Sequence, residues 1–269
     1  MKLTLKTINF SVLSVEKLGN FILENVSALG SIFLFANKFI FWSMKKPYRL
    51  KLFTDQLVFI GNKSVFIVCL AGSFSGMVMA YQTYFGFKLI SVDSLVGPVA
   101  AISLAKELAP VLTGLIVAGR AGAAMAAQIG TMKVTEQIDA LEVMGIDSFQ
   151  YLVVPRIWAS MFALPMLSAI FLLIGSIGAW VVGTQSLMID EAIFYSKLSN
   201  FMYVSDIYQG LIKAFFFGLI ISIIGTYFGF KAEKGAEGVG KGTNQAVVWG
   251  MISVLVSDYF LTSFLVRVL

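Results

Sequence analysis

Five blocks of this chain are apolar on every side rather than on one face. Such blocks belong in lipid, because a helix that is hydrophobic all round has no face to offer to water. Ser64 to Phe87 carries no charged residue and is long enough to cross a bilayer at about 1.5 Å per residue. Leu95 to Gln128 is a second long block, polar at its centre. Ile157 to Ile189 is uncharged throughout. Ala214 to Phe230 is short unless Lys213 snorkels at its end. Gly242 to Val266 is interrupted only by Asp258. The pattern predicts an all-α membrane protein, one membrane domain over residues 1–269, with transmembrane helices near 64–87, 95–128, 150–187, 208–230 and 243–267. Upstream, Phe21 to Met44 is apolar but broken by Glu24 and Lys38, and it runs into Lys45, Lys46, Arg49 and Lys51. Residues 21–51 read as an amphipathic helix lying in the interface, with a sixth span as the alternative.

Composition narrows the function classes. Hydrophobic residues make up 58% of the chain and charged residues 13%, with a mean hydropathy of +0.86. The net charge of +5 is what retained cytoplasmic lysines and arginines produce, so it gives no reason to expect nucleic acid as a partner. The basic residues from Lys2 to Lys63, with Lys133, Arg156, Lys231, Lys234 and Lys241, fall on one side of the predicted spans. Only Lys88, Lys197, Lys213 and Arg267 fall on the other. The positive-inside rule then puts the N-terminus in the cytoplasm of a multi-pass protein. The opening MKLTLKTINF lacks a cleavable signal pattern. The chain has no histidine, the commonest general base and metal ligand, and Cys69 is its single cysteine. No catalytic set, metal-ligand spacing or cofactor motif is predicted.

Glu107 is the most informative residue, because an ionisable side chain inside a span rarely persists without a partner, a water-filled cavity or a task. Lys106 beside it, another cation, water or a proton could stabilise it. It either pairs helices structurally or lines the path of a polar substrate, with Leu108 and Val111 supplying apolar surroundings. The same span carries Gly114, Ala118, Gly122, Ala126 and Gly130 at a spacing of four, a face for close helix approach within one subunit or between two. The loop after it, residues 133–145, predicts a short cytoplasmic helix with Glu136, Asp139 and Glu142 on its exposed face and Gly145 as its C-cap. Such a helix either docks on a partner or is a solvated connector. Residues 235–242, GAEGVGKG, come close to a phosphate-binding loop but join two apolar blocks, where a working loop needs a strand before it. These features fit an ABC permease, an ion-coupled secondary transporter or a non-transporting membrane assembly factor.

The run KELAPVLTGLIVAGRAGAAMAAQIGTMKVTEQIDALEVMGIDSFQYLVVPR, Lys106 to Arg156, strongly resembles the signature region of MlaE-type permeases, with a weaker match from Phe41 to the C-terminus. These are membrane subunits of ABC transporters that move phospholipids between bacterial membranes, with relatives in chloroplasts. The resemblance implies a homodimer in the bacterial inner membrane that serves outer-membrane lipid asymmetry. It implies a separate ATP-binding subunit carrying ATP and Mg²⁺, a periplasmic MCE-domain protein and often a STAS-domain protein. The helix at 133–145, with Glu136, Asp139, Leu141, Glu142 and Gly145, looks like the coupling helix for that ATPase. Glu107, Lys106 and Leu108 match the cavity motif of the family. Met79, Gln82 and Tyr84 look like its facing wall, and Asp258 resembles the acidic residue of its last span.

Overall fold

A computed structural model describes Leu23, Val26, Ser27 and residues 30–46, 49–89 and 92–268. The opening without a signal pattern lies outside the described residues, as does part of the interfacial segment at 21–51. The chain divides into two compact units, Met1–Lys45 and Lys46–Leu269. In the first, residues 30–43 are helical. Phe33, Leu34, Ile40 and Phe41 are exposed there. Lys45 holds its ammonium over the rings of Phe41 and Trp42, 4.3 and 4.6 Å from their centroids.

The second unit is helical among its described residues and holds five helices long and apolar enough to cross a membrane. They are α1 (Leu50–Lys88), α2 (Asp93–Val134), α5 (its core Val154–Val181, extended by a π-helical turn at Val182–Ser186), α7 (Val204–Lys231) and α8 (Ala236–Val268). Shorter helices fill the connections: α3 (Gln137–Val143), α4 (Ser148–Leu152) and α6 (Glu191–Phe201). α1 is one continuous helix from Leu50, so Lys51 and Lys63 belong to it and the segment before it is shorter than residues 21–51. Residues 235–242 follow α7 and open α8, with no strand before them. This is the context that rules out a phosphate loop.

α7 occupies the middle. The most apolar window of α7 is 67% buried inside the bundle, against 22% for α1 and 11% for α8. The core runs through Ile60 and Val68 of α1, Leu104 and Val117 of α2, Leu164 and Phe171 of α5, Phe217 and Ile221 of α7, and Val254 of α8. Dispersion contact between closely packed helices is what holds such a core in lipid, where burial from water contributes nothing. The small-residue ladder of α2 meets its own chain. A Cβ added at Gly122 would lie 3.2 Å from Ile221 Cγ2, and one at Gly114 would lie 3.2 Å from Val254 Cγ1. Ala118 and Ala126 are buried, with the backbones of Gly250 and Gly229 respectively against them. α1 and α5 approach more closely still, with Gly76 packed directly on the backbone of Gly175.

Two π-helical turns widen α2, at Leu104–Leu108 and Ala118–Gly122. The first has a local cause. Pro110 has no N–H to return to the carbonyl of Lys106, and its ring would crowd that carbonyl in a regular α-turn. The wider turn, in which Ala109 N–H reaches back to Leu104 O, relieves this and sets Lys106 and Glu107 on it. The second turn carries Arg120, whose guanidinium donates to Ser64 Oγ at 2.8 Å and to the carbonyls of Phe59 and Ile60 at 3.2–3.3 Å. This ties α2 to α1.

Gly76→Leu should force α1 away from α5, because the obstacle is backbone and cannot repack; overpacking of this kind costs about 1–3 kcal/mol or more. The folded fraction of membrane-extracted protein, read by thermal melting in detergent, should fall. Gly61→Ala, at a helical glycine with nothing near its added Cβ, should match or exceed the wild type.

Candidate functional site: a buried ion cluster

Three helices bring five charged groups together. Lys213, in α7, is 1% exposed and points its ammonium at two carboxylates. It donates to Glu107 Oε2 at 2.6 Å and lies 3.0 Å from Asp258 Oδ1 on α8. Thr262, one turn after Asp258, donates to the Asp258 carbonyl at 2.8 Å and reaches Glu107 Oε1 at 3.4 Å. Beside this group Lys106 pairs with Asp206 at 2.8 Å. Asp206 is itself fixed by the start of α7, where its Oδ2 accepts from the backbone N–H of Tyr203 in a capping box.

The cluster reaches inward from the start of α7, where Asp206 is the third residue, to Lys213 about two turns further in. Glu107 is about 21 Å along α2 from Asp93, Lys213 about 14 Å along α7 from Val204, and Asp258 about 15 Å along α8 from Val268, at about 1.5 Å per residue. Those three helix ends share one end of the bundle, so Glu107, Lys213 and Asp258 stand well inside it, with Asp206 in the first turn of α7. Burial is uneven across the cluster. The side chains of Lys213 and Asp206 are closed off, whereas that of Glu107 is 42% exposed and that of Lys106 33%. The open part of the site is therefore one turn of α2 that presents an acid and a base side by side.

Glu107, Lys106 and Asp258 come together, but not as adjacent charges: the partner of Glu107 is Lys213, and Lys106 belongs to Asp206. Lys213 had been expected to snorkel at the end of its span. α7 starts earlier, at Val204, and carries Lys213 inward. Asp206 and Thr262 had no signal of their own in the sequence. Leu108 packs at the edge of the main core with Val111. Met79 and Tyr84 sit elsewhere, against Ala80, Val96, Ala100 and Ala179. Gln82 lines a separate cleft of about 340 Å³ with Met77, Val78, Tyr81, Val182 and Ser186.

The helix after α2 is α3. Glu136 precedes it in the left-handed region, with φ 57°, and Gly145 follows it at φ 74°. The N–H of Gly145 donates to Glu142 O and that of Ile146 to Leu141 O, which closes the helix end. Ile138 is buried against Ile129 and Leu152 and anchors α3, leaving Glu136, Asp139, Glu142, Val143 and Met144 exposed. The carboxylate of Glu142 accepts from Ser148 Oγ at 2.8 Å. Leu141 is half-buried. Among the described residues no group of acids and cysteine is arranged to hold a metal ion.

Residues 53–264 match the family model of the permease MlaE. A probable ABC transporter permease of Rickettsia typhi is 41% identical over 250 residues, 93% of this chain and 96% of that one. The intermembrane phospholipid transport system permease protein MlaE of Haemophilus influenzae is 38% identical over 213 residues, 79% of this chain and 82% of the other. The chloroplastic protein TRIGALACTOSYLDIACYLGLYCEROL 1 of Arabidopsis thaliana is 36% identical over 210 residues, 78% of this chain and 60% of its own. The chain belongs to the MlaE permease family and is a multi-pass membrane permease subunit.

Lys213→Met should leave Glu107 and Asp258 without their shared cation, a loss below the roughly 3–5 kcal/mol of a fully buried pair because both carboxylates are partly exposed, and the amount of folded protein in the membrane should drop. Adding Glu107→Gln and Asp258→Asn to that variant removes the orphaned charges and should restore much of the level. Quantitative blotting of detergent-extracted monodisperse protein checks both. A triple variant no better than Lys213→Met would show that the lysine acts by packing alone.

Proposed function

We propose that this chain is the permease subunit of an ABC transporter that moves phospholipids between the inner and outer membranes of a bacterium and so maintains outer-membrane lipid asymmetry. The observation that carries this reading is the charged cluster inside the bundle, open at Glu107 and Lys106 and closed at Lys213. An ion pair with a purely structural task would have no need of an open side. Here polar groups face outward at a depth where only a substrate, water or another subunit can meet them. Leu108 continues the same surface with apolar character, as a lipid with a headgroup and acyl chains requires. The relatives named for ABC transport and for phospholipid transport support the same reading.

Two copies of the chain form the transporter, and α8 is the surface that meets the second copy. Its outward residues Leu255, Tyr259 and Phe260 are apolar and exposed, and they flank Asp258. The N-terminus lies in the cytoplasm, on the inner membrane, an orientation that the excess of lysines and arginines on that side supports. α3 is the coupling helix. Its exposed acids and the apolar tip at Val143 and Met144, 88% and 66% exposed, dock on a separate ATP-binding subunit that holds ATP and Mg²⁺. An MCE-domain protein on the periplasmic side and a STAS-domain protein on the ATPase complete the assembly.

A photocrosslinking amino acid placed at 107 or 108 in membrane-inserted protein should capture phospholipid. Capture at neither position, with transport intact, would remove the cluster from the lipid path. Glu136→Lys with Glu142→Lys should leave insertion unchanged but release the ATPase on purification, with a loss of a few kcal/mol if those charges are paired at the contact. Full retention of the ATPase and of lipid-stimulated hydrolysis would show that α3 is only a connector.

A further inference from the structure

The start of α1 collects positive charge that no acid of the chain answers. Arg49, the residue before α1, lays its guanidinium over the ring of Tyr151 in α4, 4.6 Å from the centroid. A guanidinium stacked in this way keeps its N–H donors along its edges. The Nε of Arg49 is buried without a hydrogen-bond partner, and among the described residues no carboxylate lies at ion-pair distance from the group. Arg156, in the first turn of α5, is 7% exposed. It donates to the carbonyl of Leu152, the residue after Tyr151, at 2.6 Å, and reaches Gln128 Oε1 only at 3.4 Å. Its Nε is also buried and unpartnered, and among the described residues no carboxylate pairs with it. Two guanidinium groups thus meet at the Tyr151–Leu152 step. Lys46 and Lys51 flank Arg49 in the chain and are exposed, and the first turn of α1 contains no acid. Burying a cation without a counter-charge costs free energy, so this arrangement calls for an anion from outside the chain.

We propose that the start of α1 binds a phosphate group, supplied by an anionic phospholipid of the leaflet at the α3 end of the bundle. Arg49 holds the phosphate directly, Lys46 and Lys51 add donors around it, and the buried charge of Arg156 raises the potential behind it. The surroundings favour a lipid over a free anion. Leu50, next to Arg49, is exposed, as are Val58 and Phe66 further along the helix. α1 is long and apolar enough to cross a membrane, so acyl chains can run beside it while the headgroup stays at its start. Four cations without a paired acid make a zwitterionic headgroup the poorer match, because its own ammonium is repelled. The site lies at the opposite end of the bundle from Asp93, Val204 and Val268, the helix ends nearer the ion cluster. It does not depend on the transport reading.

The test uses the full chain, with whatever subunits accompany it from native membranes, reconstituted in bilayers of equal parts phosphatidylglycerol and phosphatidylcholine with identical acyl chains. A photocrosslinking amino acid at position 50 leaves all four cations in place, and mass spectrometry identifies the captured lipid. Phosphatidylglycerol should exceed phosphatidylcholine by roughly tenfold, the factor that one charge-assisted hydrogen bond supplies. The same label at position 58, about two turns further along α1, should capture both equally. Arg49→Gln should bring the ratio at position 50 close to one, and Arg49→Lys should keep most of the preference. Lys46→Gln with Lys51→Gln, at two exposed positions, should lower the ratio and serves in place of Arg49→Gln if that variant fails to accumulate. Equal capture of the two lipids by the wild type would overturn the proposal. A preference that survives in these glutamine variants would overturn it too. Radiolabelled inorganic phosphate held by the purified protein only while Arg49 is present, with no preference between the lipids, would assign the site to free phosphate and overturn its assignment to a lipid.

Discussion

One buried ammonium group organises the middle of this protein. Lys213 is 1% exposed, and its Nζ lies within 3.0 Å of carboxylates on two other helices. Removing an ion from water is costly, so a lysine persists at this depth only where its partners are fixed in advance. Their positions have local causes. Pro110 imposes the wide turn that aims Glu107, and Thr262 bonds within α8 one turn from Asp258 while leaning on Glu107. The lysine is thus the constraint that sets α2, α7 and α8 in relation to one another. The open acid and base of the site are a consequence of that setting.

The packing around the cluster serves the same end by a different force. Small residues bring α2 against α7 and α8, and α1 against α5, closely enough for backbone contact. Dispersion of this sort is strong but carries no direction along the helix axis, so two smooth helices could slide by a turn. The ion pairs fix the axial position. Arg120, clasping Ser64 and the carbonyls of Phe59 and Ile60, does for α1 and α2 what Lys213 does for α2, α7 and α8.

The spans were legible in the sequence because apolar length alone identifies them, and Gly145 marked the end of α3 through the backbone conformation only glycine adopts easily. Glu107 and Asp258 were legible for the opposite reason, as charges out of place in apolar blocks. Lys213 was not, although it is the centre of the site. It stood at the edge of an apolar run, where a lysine normally reaches back to water, and only the earlier start of α7 makes it an interior residue. Whether the ladder on α2 faced its own chain or another copy also could not be read from spacing. A period of four says that a face is small, not what covers it. Met79, Gln82 and Tyr84 came from the resemblance alone: within the single chain they pack on other parts of α1's surroundings, and nothing in their spacing relates them to Glu107.

The account turns on the claim that Glu107 and Lys106 face a lipid headgroup while Lys213 holds them from behind. An experimental density map of the assembled protein in a lipid bilayer tests this directly. The account predicts headgroup density within hydrogen-bonding distance of both Glu107 and Lys106, with Lys213 bridging Glu107 and Asp258. Density confined to the cleft lined by Tyr81 and Gln82, with protein sealed over Glu107, would contradict it.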